Sequence, residues 1–290
     1  MPLPLDSRPL DASIIICTHN RSAALQQTLE AFTKFAIPSG LSYEVIVIDN
    51  ASKDNTKAVV ELATSKLPIR YLYEKKPGAG RARNNGFLQA KGRVIFITDD
   101  DCIPEPDWLE IGVSLLASDP RQLIGGRVDL HDPADLPITI KTETEAQELT
   151  SVADILGFLH SCNMILGHCV LDEIGLFDPL LGPGTPCCAA EDTDLIYRAF
   201  RAGIPIRYRP ELRIAHAHGR RSTADGERLR RNYAIANGAM TLKHLLRGRL
   251  DLLRVIYWQF RGNHGVGSHS FLRNHIKGAL AYLRGSLNPR

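Results

Sequence analysis

The sequence of 290 residues predicts an α/β fold with a mainly parallel central sheet and helices on both of its faces. Short apolar segments rich in β-branched residues alternate along the first hundred residues with segments whose apolar residues recur at helical spacing. Regular alternation of strand and helix is typical of a parallel sheet. A hydrophobic fraction of 44% and a charged fraction of 23% are ordinary for a globular chain and allow a sizeable core.

Seven elements are predicted in order within this first part of the chain. The strands are 12–18, 43–49, 69–74 and 93–98, and the helices are 21–35, 55–66 and 81–91. A turn rich in glycine leads into the last of these helices. The succession places a helix between each pair of neighbouring strands in the chain.

The later part of the sequence is less regular. Residues 131–151 are polar and acidic and are expected to form a long loop, whereas 158–166 are apolar. A helix is predicted over 192–202 because a glycine follows it directly. Residues 205–221 are expected to form two short strands. From about residue 228 the pattern predicts helices with arginine on one face and leucine, isoleucine, tryptophan and tyrosine on the other.

Composition also narrows the class of protein. The sequence has no run of eighteen or more apolar residues, and its N-terminus lacks a charged start followed by an apolar stretch. Neither a membrane span nor a signal peptide is therefore predicted, and a cytoplasmic location is expected. The six cysteines fit neither a disulfide framework nor the paired spacing of a zinc site, so they are expected to be reduced thiols.

Charge is distributed unevenly along the chain. Residues 1–200 contain 17 Lys and Arg against 28 Asp and Glu, whereas residues 201–290 contain 18 against 4. A segment as basic as the second commonly contacts phosphate, whether of nucleic acid, lipid headgroups or a diphosphate substrate. A solvated basic helical face is an equally reasonable interpretation of the charge alone.

Three adjacent carboxylates follow the strand over 93–98 directly. Asp99, Asp100 and Asp101 repel one another unless cations lie among them. Carboxylates beyond a strand end suit Mg²⁺ or Mn²⁺, which prefer oxygen ligands. The alternative is a turn or helix cap built from aspartates.

The triplet is not the only polar segment that follows an apolar strand. In parallel sheets ligands bind beyond the carboxyl ends of the strands, so "THNR" (18–21), Asp49 and the triplet are expected at one rim. Asp49 could accept hydrogen bonds from a base or a ribose, or it could cap a helix that starts near Lys53. Three separate segments are thus expected to converge on one site.

Three further motifs carry charge. "EKKPGAGRARNNG" (74–86) offers backbone N–H groups and arginines to a diphosphate, yet it matches neither the dinucleotide fingerprint nor the P-loop. "AAEDTD" places Glu191, Asp192 and Asp194 at a helix start, where the helix dipole favours acidic residues whatever their function. "HAHGRR" (216–221) offers two histidines that could ligate a metal and two arginines that could neutralise phosphate. An isolated histidine pair of this kind more often lies on the surface than binds a metal.

Together and in this order these segments resemble glycosyltransferase family 2, inverting enzymes with the Rossmann-like nucleotide-diphospho-sugar-binding fold called GT-A. The resemblance spans about residues 12–221 and rests on six quoted segments: "SIIICTHNR", "VIVIDNASKDNT", "KPGAGRARNNG", "VIFITDDDCIPEPDWL", "NMILGHCVLDEIGLFDP" and "AAEDTDLIYRAFRAGIPIRYRPELRIAHAHGRR". The aspartate triplet resembles the DxD motif of the family, with three aspartates where the motif requires two. The "ED" pair resembles its catalytic-base motif.

The resemblance implies roles for individual residues. Nucleotide-sugar binding would fall to Thr18, Arg21, Asp49, Arg83, Asp99 and Asp100. Metal binding would fall to Asp99 and Asp101 with His216, or with His218 in its place. Asp192 would be the general base, with Glu191 beside it. Which aspartate of the triplet touches the metal directly stays open.

The resemblance also implies an activity. The enzyme would use Mg²⁺ or Mn²⁺ to move a sugar from a UDP-, dTDP- or GDP-linked donor to a glycan or lipid-linked acceptor, as in cell wall or polysaccharide biosynthesis. The "QxxRW" motif of processive synthases is lacking, which argues for transfer of a single sugar. A nucleotidylyltransferase or a noncatalytic nucleotide-sugar or glycan-binding module are the alternatives, and no nucleic acid partner is expected.

Two parts of the chain are distinguished on this basis. Residues 1–225 are predicted to form the catalytic domain, and residues 226–290 a basic amphipathic helical extension that carries no family motif. Basic helices with an apolar face suit peripheral docking to an anionic bilayer, here at its cytoplasmic face. The alternative is that this apolar face packs on the catalytic domain or on another subunit.

Overall fold

The predicted α/β class is confirmed by the computed structural model, which describes residues 9–262 and 268–288. The strands that these residues form belong to one sheet. In chain order they are β1 (Leu10–Thr18), β2 (Tyr43–Asp49), β3 (Ile69–Tyr73), β4 (Gly92–Asp99), β5 (Cys102–Pro104), β6 (Leu123–Leu130), β7 (Gln147–Glu148), β8 (Asn163–Gly167) and β9 (Ile206–His216).

Helices connect most of the strands and then complete the chain. In chain order they are α1 (Ser22–Phe32), α2 (Thr56–Ala63), α3 (Ala79–Gln89), α4 (Trp108–Ala117), α5 (His168–Ile174), α6 (Glu191–Arg201), α7 (Thr223–Leu245), α8 (Asp251–Gly262) and α9 (Ser268–Leu287). Within the two described ranges, no helix combines the length and the apolar composition that a membrane crossing needs.

The sheet is parallel in one half and mixed in the other. The strand order is β3-β2-β1-β4-β8-β6-β9-β5, with β7 paired to β9. Strands β3, β2, β1 and β4 are mutually parallel, whereas β8 runs antiparallel to both β4 and β6, and β5 runs antiparallel to β9. The antiparallel pairs make the sheet less parallel than the sequence pattern predicted.

Alternation of side chains along the central strands builds one apolar core on each face of the sheet. On β1, Ile14 and Ile16 join the cluster under α1, α2 and α4, whereas Ile15 joins the cluster under α3, α5 and α6. All three isoleucines are completely buried because both faces are covered by helices. The second cluster also receives residues from α7 and α8.

Two predictions for the later part of the chain have different outcomes. The long polar loop over 131–151 is confirmed, apart from the short strand β7 and a bridge between Lys141 and Val128. The prediction of two short strands over 205–221 is wrong, because β9 is a single strand. Its pairing with β6 shifts after Arg209, where Pro210 has no N–H to donate to a neighbouring strand.

Strand register fixes what lies at the carboxyl rim of the sheet. Thr18 at the end of β1 is opposite Asp49 at the end of β2, and its neighbour Cys17 is opposite Asp99 at the end of β4. On the far side of the sheet, the β5–β9 pair sets Cys102 opposite His216. The rim therefore collects residues that are separated by almost two hundred positions in sequence.

Candidate active site

The aspartate triplet lies among three cationic side chains. Asp100 and Asp101 are nearly completely buried in the turn between β4 and β5, while the Asp99 side chain is 31% exposed at the end of β4. Arg21, Arg83 and His216 each contact one or two of these carboxylates. The three carboxylates are thus opposed by cations that the fold brings from the start of α1, from α3 and from β9.

Asp100 faces inward and is held by β1 and the segment after it. One of its oxygens accepts a hydrogen bond from the Thr18 hydroxyl at 2.7 Å, and the other lies 3.3 Å from the Arg21 guanidinium. Burial raises the pKa of Asp100 to about 7, although Arg21 and Thr18 act in the opposite direction. Its backbone carbonyl also accepts a hydrogen bond from Thr28 of α1, which fixes the turn.

Asp101 is paired with two cations. One oxygen accepts a hydrogen bond from Arg21 at 2.7 Å, and the other lies 3.4 Å from Nε2 of His216. Burial lowers the pKa of His216, but the hydrogen bond to Asp101 outweighs it and raises that pKa to about 9. Burial raises the pKa of Asp101, yet His216 and Arg21 hold it well below its usual range. The pair is therefore ionised at neutral pH.

Arg83 connects the triplet to the start of α6. Its guanidinium donates to Asp99 and to Glu191, both at 2.7 Å, and its side chain is 5% exposed. Burial and repulsion from Asp192 raise the pKa of Glu191 despite the opposing charge of Arg83. One buried arginine thus joins β4 to α6 across the floor of the site.

Asp192 differs from its neighbour in being half-buried and free of an ion pair among the described residues. One of its oxygens accepts hydrogen bonds from the backbone N–H of Thr193 at 2.7 Å and from the Thr193 hydroxyl. The other oxygen is available to a proton donor outside the protein. Asp194, two residues further on, points away from the rim into a buried cluster with Lys243 and His244.

Asp49 lies at the rim but is engaged by protein groups. It accepts hydrogen bonds from the backbone N–H of Ser52 and from the Tyr71 hydroxyl, at 2.8 and 2.7 Å. The helix that follows begins at Thr56, and Asp54 binds its first turn. Asp49 therefore does not cap that helix; each of its oxygens has a second lone pair, and 3% of the residue is exposed.

His218 is separated from the triplet. Its Nδ1 accepts a hydrogen bond from the backbone N–H of Arg220 and lies 3.6 Å from Asp135, while its Nε2 is buried without a partner. Its ring stacks edge-on against His216, with centroids 5.1 Å apart. The structure thus brings His216 but not His218 to Asp101.

One group of residues in the described part of the chain has the spacing of a metal site: Asp101, Cys102 and His216. Their ligand atoms lie within 4.8 Å of one another. Cys102 was not among the predicted ligands, although it directly follows the triplet. Burial raises the pKa of its thiol well above the usual value, so the sulfur is a poor ligand for a hard cation.

Two residues near Asp192 were missed by reasoning from the sequence. Burial lowers the pKa of His160, the charge of Asp192 acts in the opposite direction, and the imidazole lies 3.3 Å from the backbone carbonyl of Ile140. Tyr233 of α7 is 41% exposed, and partial burial together with the charge of Asp192 raises its pKa. His160 interrupts an apolar stretch, a signal that the sequence contains, whereas Tyr233 lies on a helix without a recognisable motif.

These features define the class of protein: an α/β nucleotide-sugar enzyme of the GT-A type, with a carboxylate triplet at the rim of the sheet. Residues 13–171, more than half of the chain, match the family model "Glycosyl transferase family 2". The chain belongs to this family and is a glycosyltransferase that acts on nucleotide-sugars. The nucleotidylyltransferase and the noncatalytic binding module are thereby set aside.

Curated relatives are glycosyltransferases of several kinds. The chain is 27% identical over 249 residues to glycosyltransferase AglE of Haloferax volcanii, which covers 84% of this chain and 77% of the relative. It is 36% identical over 130 residues to hyaluronan synthase of Pasteurella multocida, which covers 42% of this chain and 13% of that protein. The chain spans 48% of the probable glycosyltransferase YdaM of Bacillus subtilis, at 26% identity over 68% of its own length.

Solved structures share the fold at low sequence identity. Mannosyltransferase PcManGT from Pyrobaculum calidifontis, solved with GDP-Man and Mn²⁺, aligns with a TM-score of 0.63 at 15% identity over 99% of this chain and 81% of that chain. S. aureus TarS 1–349, solved with UDP-GlcNAc, aligns with a TM-score of 0.62 at 19% identity over 97% of this chain and 76% of that chain. Both likenesses support the GT-A fold.

Proposed function

We propose that this glycosyltransferase moves a single sugar, with inversion and with a divalent metal, from a nucleoside diphosphate sugar to a hydroxyl of a glycan or lipid-linked saccharide. The observation that carries the proposal is a rim of paired carboxylates and cations with a half-buried carboxylate outside these ion pairs, Asp192, beside it. Two solved relatives of the fold hold GDP-Man with Mn²⁺ and UDP-GlcNAc, which supports a donor linked to UDP or GDP.

The donor set at Asp101 fits a divalent cation. A carboxylate oxygen of Asp101 and an imidazole nitrogen of His216 lie 3.4 Å apart, close enough to ligate one ion. Asp99, in contrast, pairs with Arg83 and is not part of the group whose ligand atoms lie within 4.8 Å of one another. Carboxylates suit both Mg²⁺ and Mn²⁺, and the nitrogen of His216 favours Mn²⁺. Without metal, a protonated His216 supplies the compensating charge. When bound, the ion would offset charge on the departing diphosphate.

Other side chains of the rim would bind the phosphates and the nucleoside of the donor or hold the carboxylates in place. Arg21 is 42% exposed and can contact phosphate while it holds Asp100 and Asp101. Thr18 fixes Asp100, and Arg83 fixes Asp99, so that both carboxylates keep their orientation when a nucleotide enters. Asp49 lies where β1 and β2 end and offers oxygen lone pairs to the base.

Asp192 is the proposed general base. It takes the proton of the acceptor hydroxyl as that oxygen forms a bond to the anomeric carbon. The bond from that carbon to the diphosphate oxygen breaks on the opposite face, and its electron pair leaves with the nucleoside diphosphate. Configuration therefore inverts in one displacement, and Glu191 contributes by anchoring the start of α6 to Arg83.

A screen of nucleotide-sugars tests the proposal by the release of nucleoside diphosphate with Mn²⁺ or Mg²⁺. We expect Asp192→Asn to lower kcat by roughly 10²- to 10⁴-fold, the usual contribution of a general base. Asp101→Ala should abolish stimulation by metal, and a chelator should reproduce that loss in the wild type. Asp107→Asn, at an exposed position before α4, is the matched control and should be neutral.

Three results would contradict specific parts of the proposal. Turnover of Asp192→Asn at the wild-type rate would remove Asp192 as the base. Full activity in chelator would remove the metal. A product with retained anomeric configuration by NMR would exclude direct displacement, and a product carrying several added sugars by mass would exclude single transfer.

A further inference from the structure

The outward face of α9 is apolar, although an exposed helix face is ordinarily polar. Five large side chains on this face are between 36% and 71% exposed. They are Leu272, Ile276, Leu280, Leu283 and Leu287, called here the α9 stripe. Their spacing of three or four residues places them in one continuous line along the helix. Contiguous apolar surface of this kind marks an interaction site more often than scattered single residues do.

The stripe is distinct from the face by which α9 packs on the molecule. His275, Gly278 and Tyr282 form the buried face, which lies against α7. A Cβ atom at Gly278 would come within 1.7 Å of the carbonyl oxygen of Ile235, so the two helices touch backbone to backbone. Because this contact fixes the rotation of α9, the stripe cannot turn inward.

Cations line one edge of the stripe. Arg273, Lys277 and Arg284 are exposed, and each follows a member of the stripe by one residue, about 100° further around the helix. The sequence contains no Asp or Glu after Asp251 to offset these charges. An apolar stripe edged by cations complements the headgroup and acyl regions of an anionic bilayer.

Helix α8 repeats the pattern on a smaller scale. Leu250, directly before the helix, and Leu253 and Tyr257 within it are 67, 46 and 52% exposed, and the exposed Arg254 directly follows Leu253. The opposite side of α8 is buried through Leu252 and Val255. Both helices therefore bury one face in the protein and present leucine with arginine on the other.

We propose that the α9 stripe docks the protein on an anionic lipid bilayer, with the apolar side chains in the interface and the three cations over the headgroups. A series of buried contacts joins α9 to α6, so docking through α9 would also orient the candidate active site relative to the bilayer. The Tyr282 hydroxyl donates to Asp178 at 2.9 Å, Asp178 pairs with Lys243 of α7, and Lys243 pairs with Asp194 of α6 at 2.7 Å. Access to a lipid-linked acceptor by this route rests on the proposed function.

Vesicle flotation of the full chain without nucleotide tests the docking surface. The wild type should bind vesicles of phosphatidylcholine with phosphatidylglycerol at low salt, and not pure phosphatidylcholine. Removing all three cations (Arg273→Gln, Lys277→Gln, Arg284→Gln) should weaken binding about 100-fold, at about fivefold each. Ile276→Gln with Leu283→Gln should also release the protein. Leu62→Gln and Leu88→Gln, at leucines of α2 and α3 that are 77 and 74% exposed, are the matched controls and should bind normally.

Absence of binding to the anionic vesicles, or equal binding of all the variants, would overturn the docking proposal. So would a dimer in sedimentation that the stripe substitutions dissociate without any effect on vesicles, because the occupant would then be a second copy. Nucleoside diphosphate release in solution without vesicles should be unchanged in every variant. Its absence in the wild type would count against the proposed function and would leave the docking result standing.

Discussion

At the scale of single residues, the site is organised by arginines that each hold two carboxylates. Arg83 is the more constrained because it is buried and spans Asp99 and Glu191 with two separate nitrogens. A lysine has one ammonium group and lacks the planar fork that makes both contacts at once. The arrangement therefore requires arginine, and not simply a positive charge.

We predict that Arg83→Lys lowers kcat/KM by at least about tenfold and lowers thermal stability. One carboxylate would lose its buried partner, and breaking such a pair costs up to about 3–5 kcal/mol. Thermal unfolding and kcat/KM on the same preparation measure the two effects. Arg93→Lys, at a half-exposed position that pairs with Asp11, is the control. Wild-type kinetics in Arg83→Lys would mean that the bridge to α6 does not position the site.

The sequence predicts the position of some site residues and not of others. Thr18, Asp49 and the triplet follow recognisable strands, so the general rule for parallel sheets places them at one rim. The motif "HAHGRR" identifies two histidines but not which of them reaches the triplet. That choice is made by the β5–β9 register, which sets His216 beside Cys102, and β5 is too short to be predicted from its sequence.

At the scale of elements, local pattern predicts the parallel half of the sheet and little of the other half. Strands β1, β2 and β4 are apolar, β-branched runs that are buried on both faces, and β3 at the sheet edge is partly exposed. Strand β6 contains two glycines, and β9 contains a proline and three arginines, so neither is the continuous apolar run of a strand buried on both faces. Long-range pairing with β8 and with each other stabilises them, and such pairing has no local signal.

Helix α6, which begins with Glu191 and Asp192, is anchored by a buried carboxylate. Asp194 is fully buried and pairs with Arg198, Lys243 and His244 at 2.7 to 2.9 Å. Burial raises the pKa of Asp194, but the hydrogen bond from His244 and the charges of Lys243 and Arg198 outweigh it and lower that pKa. The helix that carries the proposed base is thus tied to α7.

We predict that Asp194→Asn destabilises the fold by about 3–5 kcal/mol at neutral pH, because its cationic partners lose their buried counter-charge. A carboxylate with a lowered pKa stabilises above its usual value of about 4 and loses that contribution as the pH falls below it. The difference in unfolding free energy between wild type and variant should therefore shrink under acid conditions. Urea titrations at neutral and acid pH measure it, and Asp107→Asn is the control.

A constant difference between wild type and Asp194→Asn across this pH range would contradict the predicted titration. Lys243→Met offers an independent check, because it removes one partner of Asp194 and leaves Arg198 and His244 in place. Its loss of stability should be smaller than that of Asp194→Asn. A larger loss would place the important interaction of Lys243 at Asp178 instead.

At the scale of the whole molecule, the basic C-terminal helices are physically continuous with the catalytic fold. Ala236 and Met240 of α7, with Leu252 and Val255 of α8, belong to the same apolar cluster as the central strands. The predicted division into residues 1–225 and 226–290 was placed where the family motifs end. The hydrophobic core extends beyond that point, because any helix with an apolar face can complete a core whether or not it carries a motif.

We predict that α7 and the central strands lose protection together in native-state hydrogen exchange with increasing urea. Separating them would expose completely buried Ala236 and would leave Asp194 without Lys243, so the two regions should open in one cooperative step. Peptides from β1, β4 and α7, followed by mass spectrometry, measure this coupling, and α2, with its exposed Leu62, serves as a low-protection reference. If α7 instead exchanged at urea concentrations where β1 and β4 stay protected, residues 226–290 would be an independently unfolding unit. Docking through α9 could then no longer fix the position of α6 relative to the bilayer. The contacts of Lys243, which join α7 to α6, would open while the active site stayed folded.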